Sequence, residues 1–474
     1  MRKSILFIIL LFLFPLFVIA QQADDEDPFK RDPIFSKSIP ELLGISETEE
    51  ETQPGVTETT EFNRAVRRLS VTGMDLGGSF DAGPYFSNAL YSQYPNLSNL
   101  HFNRVNGLFF GIKEERMQWH RRSSFLNIPQ VNLHGMIGYG TASKRWDYSI
   151  GLEKLIGSRN RFMVGFEFHN ATATDDFQRV GLSETSLTSF LASYDFLDYY
   201  QMEGFGIYTA IRSNRWLEGA FSFNRSTFSS LEQRTSYSLF GYSSTYRPNP
   251  AIDLFSDEID LDIYSISLSL NPRRTLITNQ FTATGTIIAE LADNGASDEN
   301  YRFNRYRAET SLFYNFEPGS VLRWRLQGGL ITGDVPDFKN FYLGGIGTLR
   351  GSPYKYFAGN RMLLSNLEVQ FGRPSNRMGE WIRDYNLHIL LFLDSGWTTG
   401  RNIHTGPIFF WSGLDPDNGL RNRTKGSFRD FSFSGFQHDA GVGLGSGIFR
   451  LELAWPLKTF DSSPTLWLRL NPTF

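Results

Sequence analysis

Apolar and polar residues alternate with a period of two through most of the chain beyond residue 100. In RWDYSIGLEKL, Trp146, Tyr148, Ile150 and Leu152 fall on one face, with Asp147, Ser149, Gly151 and Glu153 on the other. The spacing recurs in IDLDIYSISLSLN, where Tyr264, Ile266, Leu268 and Leu270 oppose Ser265, Ser267 and Ser269. In VLRWRLQGGL, Leu322, Trp324 and Leu326 oppose Arg323, Arg325 and Gln327, and in FRLELAW, Phe449, Leu451, Leu453 and Trp455 oppose Arg450 and Glu452. This period predicts β-strands with one apolar face. A soluble sandwich would show the same period, but its strands run to roughly five or six residues. These run to about ten, the length that crosses a bilayer at a tilt of about 45°.

Fifteen such segments can be marked, the first at 102–112 and the last at 464–474. Single-chain bacterial barrels have an even number of strands, with short turns at one end and long loops at the other. The tight turns near Gly445–Gly447 and Glu317–Ser320 and the long connections 171–203, 226–258, 332–359 and 398–435 sort to opposite ends only if one more strand precedes Gln130. Arg67–Phe80 and Arg116–Phe125 are the two candidates. The predicted fold is therefore all-β: a 16-stranded antiparallel transmembrane β-barrel within residues 63–474, with both termini in the periplasm.

Composition agrees. Aromatics make up 15% of the chain and charged residues 20%, more aromatic and less charged than a typical globular enzyme. The opening MRKSILFIILLFLFPLFVIA, with Arg2 and Lys3 ahead of a short apolar run and Val18 and Ala20 ahead of Gln21, reads as a signal peptide over residues 1–20. The chain contains no Cys, which rules out a lipoprotein anchor after the cut and a disulfide framework. Residues 21–62 hold 12 acidic and three basic side chains. A segment this acidic and this poor in apolar residues cannot bury enough surface to order itself, so it is expected to be a disordered periplasmic tail.

Candidate chemistry centres on GGIGTLRGSPYKYFAGN, Gly344–Asn360, in the long connection between the eleventh and twelfth predicted strands. It is rich in glycine and aromatics and poor in charge, unlike a solvated loop tip. Folded back against the barrel wall, Arg350 would need carboxylate partners. Glu368, on a face with Asn366 and Gln370, and Asp394, at the end of HILLFLD, are placed to supply them. Three unrelated surface charges are the alternative. The seven His show no metal-ligand spacing, GVGLGSG opens no helix, and no GxSxG elbow occurs. No catalytic residue, metal, cofactor or nucleic-acid partner is expected.

The run GGIGTLRGSPYKYFAGN, then LFLDSGW, then DAGVGLGSGIFRLELAWPL and a terminal aromatic resembles the bacterial surface antigen superfamily of outer-membrane assembly and translocation barrels, which includes the BamA-type and TamA-type proteins. The match is strong over the last third of the chain and weaker at FNRVNGLFFG and KRWDYSIGLEKLI. The resemblance implies an inward-folded loop whose Arg-Gly pair, here Arg350 and Gly351, meets acidic residues of the next two strands, here Glu368 and Asp394. Ser352 stands where the family usually has an aromatic, with Tyr354 nearby. The family usually carries periplasmic POTRA domains. Residues 21–99 have room for one at most, so a barrel without them is expected.

The C-terminal strand PTLWLRLNPTF places Phe474, Leu470 and Leu468 on one face and resembles the sorting signal read by outer-membrane assembly machinery. Pro472 removes a ladder donor and reads either as a weak seam or as the start of a frayed chain end. The implied function is insertion or export of polypeptide, or of lipid, in the outer membrane. Its partners would be outer-membrane lipid, the assembly machinery of which it is a client, unfolded outer-membrane proteins and a separate periplasmic subunit. A passive or gated pore lined by Arg323, Arg325 and Arg450, and a structural or adhesive surface protein, are the alternatives.

Overall fold

The computed structural model describes residues 100–118, 131–156, 162–176, 180–212, 216–240, 246–253, 256–271, 277–278, 280–294, 301–317, 320–372, 387–399, 435–446, 449–459 and 463–470. The strands are β1 (Leu100–Asn103), β2 (Gly107–Gln118), β3 (Val131–Gly140), β4 (Arg145–Ile156), β5 (Phe162–Ala173), β6 (Tyr200–Arg212), β7 (Leu217–Ser230), β8 (Glu258–Leu270) and β9 (Phe281–Asp293). They continue with β10 (Arg302–Glu317), β11 (Ser320–Asp334), β12 (Phe341–Leu343), β13 (Phe357–Gly359), β14 (Arg361–Gly372), β15 (Leu387–Thr398), β16 (Gln437–Ser446), β17 (Phe449–Pro456) and β18 (Thr465–Leu470). Among the described residues one α-helix, α1 (Leu182–Ala192), lies between β5 and β6.

Sixteen strands form a single sheet in chain order, β1 to β11 and then β14 to β18, with every neighbouring pair antiparallel. The short β12 and β13 pair only with each other, inside the connection from β11 to β14. No described helix is long and apolar enough to cross a membrane.

The faces of this sheet are inverted relative to a water-soluble protein. Along β8, Tyr264, Ile266 and Leu268 are exposed while Ser265, Ser267 and Ser269 are buried; Ile266 is 54% accessible and Ser265 2%. On β4, Trp146, Tyr148, Ile150 and Leu152 are exposed while Asp147 and Glu153 are buried, and on β17, Phe449 and Leu451 are exposed while Arg450 and Glu452 are buried. An outward apolar band with an inward polar face is the pattern of a sheet solvated by lipid. At one end the buried face turns apolar. Tyr200, Phe228, Ile252, Leu261, Phe303 and Phe341 belong to one cluster packed beneath the long connections.

The sixteenth strand arises where the sequence suggested one continuous segment at 102–112. The chain instead turns between β1 and β2. The side-chain carbonyl of Asn103 accepts the N–H groups of Val105 (3.0 Å) and Asn106 (2.6 Å), and Gly107 takes a left-handed φ of 65°. Asn and Gly supply this turn chemistry. The candidate strand at Arg67–Phe80 lies outside the described residues, as does 119–125 of the second candidate, whose first three residues end β2. The proposed signal peptide, acidic tail, Pro472 and Phe474 also lie outside the described residues.

If the apolar face meets lipid, Ile266→Lys destabilises the folded protein in liposomes by about 2–4 kcal/mol near the bilayer centre. Urea titration of the two forms measures it, and equal midpoints would show that this face meets water instead.

Candidate functional site: the loop between β11 and β14

The connection from β11 to β14 is held compactly against the polar face of the sheet. Gly344, Gly345 and Gly347 have φ of 118°, 78° and 81°, values at which only glycine is free of strain. At Gly344 a Cβ would also lie 2.2 Å from the Pro353 carbonyl oxygen. The turn they make delivers Leu349 and Arg350 into a fully buried position.

Arg350 grips the wall with every nitrogen of its guanidinium. Nε donates to Asp394 Oδ2 (2.7 Å), Nη2 to Asp394 Oδ1 (2.8 Å), and Nη1 to Glu368 Oε1 (2.7 Å) and Glu452 Oε2 (3.3 Å). Its Cζ stacks 3.5 Å from the centre of the Phe392 ring. The residue is 3% accessible. Burial alone would lower the guanidinium pKa; Asp394, Glu452 and Glu368 more than offset this and raise it well above its ordinary value, so the charge is permanent.

Further groups complete the cluster. Glu368 also lies 3.6 Å from Arg323 and 3.5 Å from Arg450, which in turn reaches Glu452 at 3.3 Å. Asn366 donates to Asp394 (2.7 Å) and to the Thr348 carbonyl (2.7 Å), while Arg325 donates to the Gly347 carbonyl (2.5 Å) and to Asn366 Oδ1 (2.7 Å). Asp439 accepts the backbone N–H groups of Gly351 (2.8 Å) and Ser352 (3.0 Å) and the Ser352 hydroxyl. A Cβ at Gly351 would sit 2.6 Å from the Trp455 carbonyl carbon, so the close approach requires glycine.

The far side of the loop is fastened to the connection between β5 and β6. Lys355 Nζ lies 2.5 Å from both Asp176 and Asp198, and the Tyr354 hydroxyl donates to the Phe196 carbonyl. Asp198 also pairs with Arg247 and, at 3.0 Å, with Arg104, whose backbone N–H and guanidinium both bond Asp195. Burial opposes ionisation of Asp198, but Arg247, Lys355 and Arg104 hold its carboxyl well below the usual range. Nearby, Asp175 bonds Lys339 at 2.8 Å.

Of the residues singled out in the sequence, Arg350, Gly351, Glu368 and Asp394 come together at one point. Leu468 lies exposed on β18, and Leu470 ends that strand opposite Phe449. Arg323, Arg325 and Arg450, candidates for a pore lining, are instead engaged with the loop and its carboxylates. Ser352, in place of an aromatic, is held by Asp439, and Tyr354 packs on Phe196. Glu452 and Asp439 have no counterpart in the sequence reading, although Glu452 alternates with Arg450 on the polar face of its strand and Asp439 opens the quoted glycine-rich run.

The inverted 16-stranded sheet and its loop-to-wall ion cluster define a class: a membrane protein built of strands and braced from its polar side. The family model described as the Omp85 superfamily domain matches residues 147–466, and the chain belongs to that superfamily. Membership of this superfamily indicates an outer-membrane protein. Among solved structures it is similar to BamA from Haemophilus ducreyi lacking POTRA domains 1–3, at 12% identity and a TM-score of 0.46 over 78% of this chain and 67% of that one. It is also similar to CdiB from Acinetobacter baumannii, at 11% identity and a TM-score of 0.36 over 75% of this chain and 53% of that one. For CdiB from Escherichia coli the values are 11% and 0.37, over 78% and 60%. The search of curated proteins gave no match.

Arg350→Met removes the cation shared by Asp394, Glu368 and Glu452 while keeping most of the side-chain volume. Breaking a buried pair in this way costs about 3–5 kcal/mol. Urea unfolding in liposomes should show a loss of that size, with Arg225→Met, at the exposed pair with Asp262, leaving the midpoint nearly unchanged because exposed pairs contribute little.

Burial pushes the Asp175 carboxyl up, but Lys339 and Arg305 override it and bring the pKa down to about 2. Against an unfolded value of about 3.9, this stabilises the fold at and above about pH 4. The contribution, on the order of 2–3 kcal/mol, is lost as pH falls from about 4 towards 2. Asp175→Asn should flatten this part of a stability-against-pH curve; an unchanged slope would assign the acid sensitivity to other carboxylates.

Proposed function

We propose that the sheet curls into a transmembrane barrel with the β11–β14 loop folded into its lumen, and that the protein moves polypeptide into or across the outer membrane rather than conducting small solutes. Membership of the superfamily supports the general role. The observation that carries the choice is the filling of the polar side. Arg350 braces the loop to the wall and Lys355 braces it to the β5–β6 connection, an apolar cluster packs at one end, and of the arginines that would line a pore Arg323 and Arg450 face carboxylates while Arg325 bonds the Gly347 carbonyl and Asn366. A conducting lumen needs open, hydrated charge; this one is spent on internal contacts.

In this reading both termini lie in the periplasm, since the strand count is even, and the acidic residues 21–62 hang there as a tail. The terminal residues Leu468, Leu470 and Phe474 would be the sorting signal through which the assembly machinery takes up this chain, and Pro472 would keep the last strand from pairing along its full length. The client is an unfolded outer-membrane polypeptide, with a separate periplasmic subunit to deliver it.

The test is folding of a denatured small barrel protein in liposomes containing the purified chain, compared with empty liposomes and with liposomes holding an unrelated porin. Acceleration above both controls is expected. Steady conductance without acceleration would replace this reading with a pore.

A further inference from the structure

The register of β1 with β2 sets Phe102 opposite Leu108, and residues directly opposite on an antiparallel pair share a face. Leu108, Phe110 and Ile112 are exposed on the apolar face, so Phe102 belongs to that face too, yet only 7% of it is accessible. Two of the long connections supply its cover. Phe190 of α1 meets its ring edge-on with centroids 5.5 Å apart, and Tyr237, between β7 and β8, lies 6.1 Å away. The pieces of chain that carry Phe190 and Tyr237 therefore lie on the outward side of the sheet, level with Leu108, at the end where the long connections emerge.

The backbone of residues 234–240 is fastened in that position. The N–H groups of Arg234 and Thr235 donate to the Arg104 carbonyl at 2.9 and 3.2 Å, and those of Leu239 and Phe240 donate to the Phe190 and Leu191 carbonyls at 2.8 Å. These two carbonyls belong to the last turn of α1, where a helix has no N–H groups of its own to fill them. The Tyr237 N–H donates to the Thr235 hydroxyl at 3.1 Å, and the Tyr237 carbonyl accepts the Tyr246 hydroxyl at 2.8 Å. The side chains held outward change in kind along the segment. Glu232 and Arg234 are exposed at its start, whereas Tyr237, Leu239 and Phe240 are exposed at its end, Phe240 to 75%.

We propose that Tyr237, Leu239 and Phe240 form an interfacial foot that rests in the membrane, at the boundary of headgroups and acyl chains in the leaflet on the side of the long connections. This rests on the reading that the apolar face meets lipid. An exposed apolar patch marks a contact with protein or membrane, and continuity with the apolar band through Phe102 and Leu108 selects the membrane. The paired amide N–H groups of Tyr237, Leu239 and Phe240 meet the demand that hydrocarbon makes on a backbone, and aromatic side chains beside charged ones suit the interface. The foot would hold the β5–β6 and β7–β8 connections down against the rim of the sheet.

The chain has no Cys, so a single introduced cysteine reports alone. Nitroxide labels are placed by Phe240→Cys on the foot, by Ile266→Cys on the apolar band and by Glu232→Cys at the charged start of the segment. In liposomes, power-saturation electron paramagnetic resonance reads the collision of each label with oxygen, which concentrates in lipid, and with a water-soluble nickel chelate. The oxygen-to-nickel ratio at 240 is expected to lie several-fold above that at 232 and towards that at 266. Leu239→Cys is the second reporter of the foot should a label at 240 disturb the fold. A water-like ratio on the foot with a lipid-like one at 266 would overturn the foot and keep the lipid-facing band. Weak collision of the foot with both reagents would overturn it in favour of cover by protein. A water-like ratio at 266 would overturn the lipid-facing reading itself.

Discussion

The buried guanidinium of Arg350 constrains the whole C-terminal half of the sheet. A single charge away from water costs several kcal/mol unless its partners are close and well oriented, and here the partners come from β14, β15 and β17, three different strands. Because side chains alternate sides, a slip of one residue in any of these strands would send Glu368, Asp394 or Glu452 to the lipid face. The ion cluster is thus a register gauge. It tolerates one alignment of these strands and penalises the neighbouring ones twice, by stranding Arg350 and by placing a carboxylate in hydrocarbon.

The pairing of Asp394 with Asp439 across β15 and β16 illustrates how this works. Two carboxylates opposite one another would repel in an isolated hairpin. The loop divides the work between them: Asp394 takes the guanidinium, and Asp439 takes the amide N–H groups of Gly351 and Ser352. Both aspartates are satisfied by the loop, and both help to hold its tip. This reciprocity explains why a glycine must follow the arginine, since a Cβ at position 351 would hold the backbone away from Asp439 and from the β17 carbonyl beneath it.

Period-two alternation made the strands legible, and face assignment made Glu368 and Asp394 legible as partners for Arg350, because those residues lie on the next two strands. Glu452 and Asp439 were hidden by distance. Glu452 lies 102 residues from Arg350, and the sequence does not say which polar residue of a later strand stands at the level of the loop tip. The β1–β2 turn lies within FNRVNG, where the alternation lapses between Phe102 and Val105, and its chemistry is carried by Asn103 and Gly107. Helix α1 was missed for a different reason. LSETSLTSFLA lacks the apolar stripe of a helix on a protein surface because its neighbours are polar as well as aromatic, and Glu184, Ser186 and Ser189 all find buried partners.

The distribution of these contacts bears on where the structure can give way. Opening a path along the polar side would mean withdrawing Arg350 from three carboxylates, Lys355 from Asp176 and Asp198, and Arg104 from Asp195 and Asp198. Breaking each buried set is of the order of 3–5 kcal/mol, and the sets are linked through Asp198 and through the loop backbone, so they yield together or not at all.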